Sequence, residues 1–446
     1  MKNSKYSPKF KINSSEVLES ISKHQIGDGM SIVVDNKNSF GNIVDRKTGK
    51  SYIDFFTCFA SMPLGYNHPK MLEPEFVDYI GMNSINKPSN SDLYSEVQAT
   101  FTNTLFNIAV PENDFKYSFY IEGGALAVEN ALKTAMDWKV RKNIKKGIHG
   151  EKGTKVLHFK QAFHGRSGYT LSITNTDPVK VLYFPKFDWP RVDNPKIVFP
   201  IEENIEDIIE KEKQCIRQIK DAFINNKDEI CSIIIEPIQG EGGDNHFRNE
   251  FFVELRNICD ENEALLIFDE VQTGVGMTGK MWAYQHLTIK PDILCFGKKM
   301  QVCGILSNTR VDDVEDNVFH KSSRINSTWG GNYTDMVRIT KYLEIIEEEN
   351  LVENSKDMGY YLHSQLVNIQ NQNSDIITNV RGKGLFRAFD IKEELRKPLL
   401  KQCFENGLIL LACGNNSIRF RTRLNITENE LDEGIRLINK SLSEIR

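Results

Sequence analysis

A chain of 446 residues with 56 basic and 61 acidic side chains, net charge −5, offers no electrostatic attraction to nucleic acid or an anionic membrane. Hydrophobic residues make up 40% and charged residues 26%, which excludes extended disorder. The length implies two or three lobes.

The N-terminus is positively charged but no apolar region follows it, so no secretory signal is expected. No apolar run approaches the roughly eighteen residues of a spanning helix. The eight cysteines are scattered, without Cys-x-x-Cys or His clusters at metal spacing, so no metal site is expected and a reducing cytoplasm is the economical setting.

The first sixty residues are polar and mixed, with strand-like pieces at 30–34 and 51–56. From about residue 118, apolar strands alternate with amphipathic helices. Strands are predicted at 117–121, 155–159, 197–199, 232–235, 265–268 and 293–296, and helices at 127–140, 205–225 and 249–262. Such alternation specifies a mainly parallel α/β sheet, whose ligands gather beyond the carboxyl ends of the strands. After about residue 330 the pattern changes. Helices at 334–349, 355–371 and 428–442 surround short strands near 385–391, 408–412 and 417–420, which reads as a smaller α+β lobe.

Several polar strings fall at strand ends. Glu122-Gly123-Gly124-Ala125 opens a helix whose free N–H groups suit a phosphate, although an ordinary tight turn would look the same. In Phe163-His164-Gly165-Arg166 the aromatic could stack on a ring and the guanidinium could hold a carboxylate; a packing Phe and a surface Arg are the plainer alternative. Glu236-Pro237-Ile238-Gln239-Gly240-Glu241-Gly242-Gly243 is a sharp loop unusually dense in polar groups. Asp269 ends an apolar run and opens Asp269-Glu270-Val271-Gln272-Thr273-Gly274, where an aspartate could equally cap a helix. Lys298 follows Asp292-Ile293-Leu294-Cys295-Phe296-Gly297; its neighbour Lys299 makes a solvated pair the bland alternative. Asn326-Ser327-Thr328-Trp329-Gly330-Gly331-Asn332 is a loop suited to closing on a phosphate. Arg419, Arg421 and Arg423 alternate with period two, as on one face of a strand or on an exposed basic edge.

One buried run delivering a carboxylate and the next an amine match the needs of pyridoxal phosphate chemistry. The lysine holds the cofactor as a Schiff base, and the aspartate keeps the ring nitrogen protonated.

Together these strings resemble the class III (omega) pyridoxal phosphate-dependent aminotransferases, over about residues 52–437. The strings at 86–92, 187–190, 297–304 and 326–331 look like the lysine-specific subgroup. The resemblance implies fold type I: a large domain over 61–330 that binds pyridoxal 5'-phosphate, and a small α+β domain built from segments 1–60 and 331–446. It implies that Lys298 binds the cofactor and shuttles the proton, Asp269 pairs with the ring nitrogen, Gln272 binds the phenolic oxygen and Phe163 stacks on the ring. Gly124 and Ala125 would bind the phosphate, with Thr328 of the partner subunit in a homodimer that shares its active sites. Arg166 and Asn326 would contact substrate, and Arg419 would take the 2-oxoglutarate carboxylate beside the keto carbon. Glu241 would pair with Arg419 while L-lysine reacts, then move away. The implied reaction is ping-pong transfer of the lysine ε-amino group to 2-oxoglutarate. Ornithine, 4-aminobutyrate or diamine transamination, a decarboxylase, an aminomutase and a silent binding protein are the alternatives. Two departures from the common pattern are Val302-Cys303-Gly304 after the lysine, where Gly-Gly is usual, and Met277, where an arginine is usual.

Overall fold

The computed structural model describes residues 6–446; the charged stretch 1–5, considered above for a leader, lies outside the described residues. Among the described residues a seven-stranded sheet dominates. Its spatial order is Tyr117–Ile121, Cys303–Ser307, Ile293–Phe296, Leu265–Asp269, Ile230–Ile235, Lys155–Phe159 and Arg191–Val192. All neighbours pair in parallel except Cys303–Ser307, which runs antiparallel to both of its partners. Every residue of the three central strands Ile230–Ile235, Leu265–Asp269 and Ile293–Phe296 is buried. Helices on both faces leave these strands no solvent side, so their sequences are continuously apolar rather than alternating. The helix Gly124–Lys145 covers one face and Asn249–Glu261 packs on the strands of the sheet's interior.

A second sheet of four antiparallel strands has the order Ile377–Lys383, Phe386–Ile391, Ser417–Arg421, Leu411–Cys413. A third joins Ile43–Val44 and Ser51–Asp54, near one end of the sequence, to Leu408–Ile409 near the other. Distant parts of the chain are thereby tied into one ladder.

Four local expectations need correction. The predicted strand at 408–412 is two strands, Leu408–Ile409 and Leu411–Cys413, which change sheets across Leu410. Residues 197–199 form no strand. Pro195 and Pro200 flank them and cannot donate to a ladder, and the sheet edge is instead Arg191–Val192. At 30–34 only Val34 makes a β-bridge, to Asp45. Strands Cys303–Ser307 and Ile377–Lys383 were not anticipated; the first follows the single turn Lys298–Met300 and the second is a bulged edge with few apolar residues.

Candidate active site

Beyond the carboxyl ends of the central strands lies a cavity of about 500 Å³. Its wall includes Gly124, Ala125, Phe163, Asp269, Gln272 and Lys298, together with His164, Glu236 and Gln301. Strand Leu265–Asp269 ends on its aspartate, and strand Ile293–Phe296 ends one glycine before Lys298. In the parallel register Asp269 is paired with Cys295, so both groups emerge at the same level.

Lys298 sits at the start of a single 3₁₀ turn, Lys298–Met300, with φ of +47°. That left-handed backbone is uncommon for a non-glycine residue and is the sort of strain that persists where the surroundings over-determine it. A side chain on Gly297 would meet Cys303 Sγ at 2.9 Å, so the residue before the lysine must be small. Burial lowers the Lys298 pKa to about 8, and the nearby Arg419 charge adds to the effect. Lys299 is also buried, but it points elsewhere and donates to the Gln272 carbonyl at 2.6 Å. The solvated-pair alternative therefore does not hold for either lysine.

An amine that loses its proton near pH 8 is a nucleophile at only modest alkalinity. Uptake of pyridoxal phosphate by the cofactor-free protein should accelerate between about pH 7 and 9 and then level off, because only the neutral amine attacks the cofactor aldehyde. Stopped-flow absorbance of the bound chromophore checks this. A flat profile over that range would contradict the lowered pKa.

The chain after Asp269 enters turns rather than a helix, so helix capping does not explain this residue. Asp269 Oδ2 lies 2.8 Å from His164 Nδ1, and both side chains are buried. Its other oxygen accepts the Val271 N–H at 3.1 Å, which fixes the carboxylate plane. Gln272 is oriented just as firmly. Its Oε1 accepts from Arg419 at 3.4 Å and from Arg421 at 3.0 Å. Guanidinium groups only donate, so the carbonyl end must face them and the amide nitrogen is left for another partner.

Glu236 links two loops, accepting from Phe163 N at 2.9 Å and from Gly240 N at 3.1 Å. Burial pushes its pKa up to about 7, against the pull of His164 and with the push of Asp269. The loops it joins approach closely. A Cβ on Gly165 would meet that of Ala125 at 2.4 Å, and Gly165 has φ of +124°, so only glycine fits there.

The donor set fits pyridoxal phosphate. A buried amine of lowered pKa faces the cavity together with a carboxylate backed by a histidine whose second nitrogen, Nε2, has no partner. The N-terminus of the 22-residue helix Gly124–Lys145 opens on the same space, with Gly123 at φ +112°, so free backbone N–H groups are available for a phosphate.

The carboxylate of Glu241 lies between two cations, 2.9 Å from Arg419 and 2.7 Å from Lys180. Burial raises its pKa, but the two positive charges outweigh this and hold it below the usual carboxylate value. Arg419 and Arg421 are both buried, on an interior strand of the four-stranded sheet, so the exposed-edge alternative does not hold. Arg421 is neutralised by Asp244 at 2.5 Å, with neither side chain exposed. Arg423 lies past the end of that strand and pairs with Glu430.

Five predicted site residues are not in the cavity wall: the paired Glu241 and Arg419, and three others. Arg166, Asn326 and Thr328 are all exposed. Asn90 clamps the loop that carries the last two, through Gly330 N at 2.7 Å and Gly330 O at 2.8 Å. Residues given no role from sequence are His164, Glu236, Lys180 and the Asp244–Arg421 pair. The first two lay inside strings already singled out; nothing in the sequence pointed to Lys180. The left-handed turn Thr57–Ala60, with φ between 40° and 64°, was likewise unforeseen; it delivers Ser61 and Met62 to the cavity.

Comparison with known proteins agrees with this geometry. The family described as Aminotransferase class-III matches residues 26–442. The chain is 46% identical over 429 residues to an L-lysine-epsilon aminotransferase of Mycobacterium tuberculosis, covering 96% of this chain and 95% of the relative. It is 42% identical over 441 residues to one from Streptomyces clavuligerus, covering 97% and 95%. The crystal structure of a lysine aminotransferase from M. tuberculosis superposes with a TM-score of 0.95 at 45% identity, covering 98% of this chain and all of that one. The chain belongs to the class-III aminotransferase family.

Proposed function

We propose that this protein is a pyridoxal phosphate enzyme that transfers the ε-amino group of L-lysine to 2-oxoglutarate, releasing 2-aminoadipate 6-semialdehyde and L-glutamate. The observation that carries this reading is the Glu241–Arg419 ion pair, 2.9 Å long, with Arg419 buried. One site must accept two substrates that differ at the reacting end. 2-Oxoglutarate has a carboxylate beside its reacting carbon, and the ε-carbon of lysine has none. An uncovered, buried Arg419 would be costly with lysine bound, and a movable carboxylate removes that cost. Similarity to the lysine-epsilon aminotransferases at 42–46% identity supports the same substrate.

When bound, pyridoxal phosphate supplies an electron sink that eases proton loss at the substrate carbon. The remaining work falls to the chain. Lys298 holds the cofactor and then carries a proton at the ε-carbon. Asp269, steadied by His164, would keep the proton on the ring nitrogen, and Gln272 would donate to the phenolic oxygen. Phe163 would stack on the ring, and Gly124 and Ala125 would bind phosphate oxygens through their N–H groups. Arg166 takes the carboxylate remote from the reacting centre, aided by Asn326. Thr328 would complete the phosphate site of the partner in a homodimer, a role its exposed loop is compatible with. Among the described residues no helix is long and apolar enough to cross a membrane. The eight unpaired cysteines suit a cytoplasmic setting.

A donor panel tests the assignment. With 2-oxoglutarate as acceptor, L-lysine should give glutamate at least about tenfold faster than L-ornithine or 4-aminobutyrate, a difference of about 1.4 kcal/mol in transition-state binding. The lysine product should cyclise to a six-membered imine. Faster turnover of ornithine with a five-membered product would overturn the assignment.

A further inference from the structure

We propose that Lys180 is a second cation of the Glu241 gate, setting the balance between the two half-reactions by keeping Glu241 paired when Arg419 is given up to the acceptor. It can act this way only if Glu241 is the gate proposed above.

The two oxygens of Glu241 are divided between the cations: Oε1 accepts from Lys180 Nζ at 2.7 Å and Oε2 from Arg419 Nη2 at 2.9 Å. Movement that frees Oε2 can therefore leave Oε1 where it is. Lys180 is well placed to serve as the fixed end. It closes the short helical turn Pro178–Lys180, whose start is capped by the Asp177 side chain accepting from Val179 N. Its ammonium also lies 5.4 Å from the centre of the Phe163 ring and 3.5 Å from Thr176 Oγ1. Its side chain is 23% exposed, against 3% for Arg419, so Glu241 has one wet partner and one dry one.

A charge count gives the direction of the effect. Asp244 already neutralises Arg421, which leaves Arg419 and Lys180 against the single charge of Glu241. The closed gate thus carries one positive charge in excess. Binding the acceptor's carboxylate makes the count even, with Arg419 paired to the acceptor and Glu241 to Lys180. Without Lys180 the closed gate is already neutral, and acceptor binding would strand a half-buried Glu241 beside a second anion. Removing Lys180 therefore penalises the acceptor and spares the donor. Packing against Phe163 alone would affect both substrates equally.

The test uses the holoenzyme of Lys180→Met and Lys180→Arg, with glutarate, which is the acceptor without its keto group, as a non-reacting probe. Lys180→Met should weaken glutarate binding and raise the KM for 2-oxoglutarate roughly fivefold, the size of a partly exposed ion pair, while the KM for L-lysine stays within about twofold. Lys180→Arg should restore both. Unchanged glutarate affinity, or equal losses for both substrates without rescue by arginine, would overturn the proposal. Glu241→Ala serves as the separate control on the gate itself. It should impair the lysine half-reaction and leave glutarate binding intact. If Glu241→Ala hits both halves equally, the gate fails and the role of Lys180 fails with it.

Discussion

Lys298→Ala should lower turnover about 10⁴-fold, the upper range for loss of a positioned general base, and should abolish any borohydride-fixable link to the cofactor. Both consequences follow from one side chain. Its amine is buried in the cavity, and burial has brought its pKa down to about 8. Lys299→Ala is the informative contrast, because the two lysines are adjacent in sequence and Lys299 is the more deeply buried by surface exposure. Lys299 spends its ammonium on the Gln272 carbonyl at 2.6 Å and does not line the cavity. Its removal should leave the covalent link to the cofactor intact and loosen Gln272. Mass spectrometry of the borohydride-treated protein separates the cases. A cofactor fixed to residue 299 would reverse the assignment.

Asp244→Ala should be the most destabilising single substitution near the site, lowering stability by about 3–5 kcal/mol. Asp244 and Arg421 are fully buried and joined by two contacts, at 2.5 and 2.9 Å. The guanidinium also lies 3.3 Å from the centre of the Phe386 ring, and it donates to Gln272. Truncating the acid leaves this cation buried without a counter-charge. The double variant Asp244→Leu with Arg421→Met should recover much of the loss, since replacing both charges removes the uncompensated one. Urea midpoints of the three proteins provide the check. A midpoint for Asp244→Ala equal to that of the parent would show that the pair carries little of the stability.

Lysine and aspartate were legible because each lies at or just past the end of an apolar strand, and a parallel sheet places such ends on one rim. The glycine-rich strings were legible for a related reason. Close backbone approach demands glycine, as at Gly165 against Ala125 and at Gly242, where a Cβ would run into the Gln161 carbonyl oxygen. The segment 408–412 shows where such reading stops. Five apolar residues in a row look like one strand, and nothing local says that Leu410 divides them between two sheets.

Local pattern alone was enough to determine the α/β class, the strand ends that bear Asp269 and Lys298, and the need for small residues around them. These are properties of neighbours along the chain. Tertiary structure alone decided which charges face one another. Glu241 meets Arg419 across 178 positions and Lys180 across 61. His164 meets Asp269 across 105. Charge pairing depends on distance in space and on burial, and neither is written in sequence separation. The row Arg419, Arg421 and Arg423 makes the point most plainly. Alternation put them on one face, but folding gave them three different partners: Glu241 in the site, the fully buried Asp244 and the partly exposed Glu430.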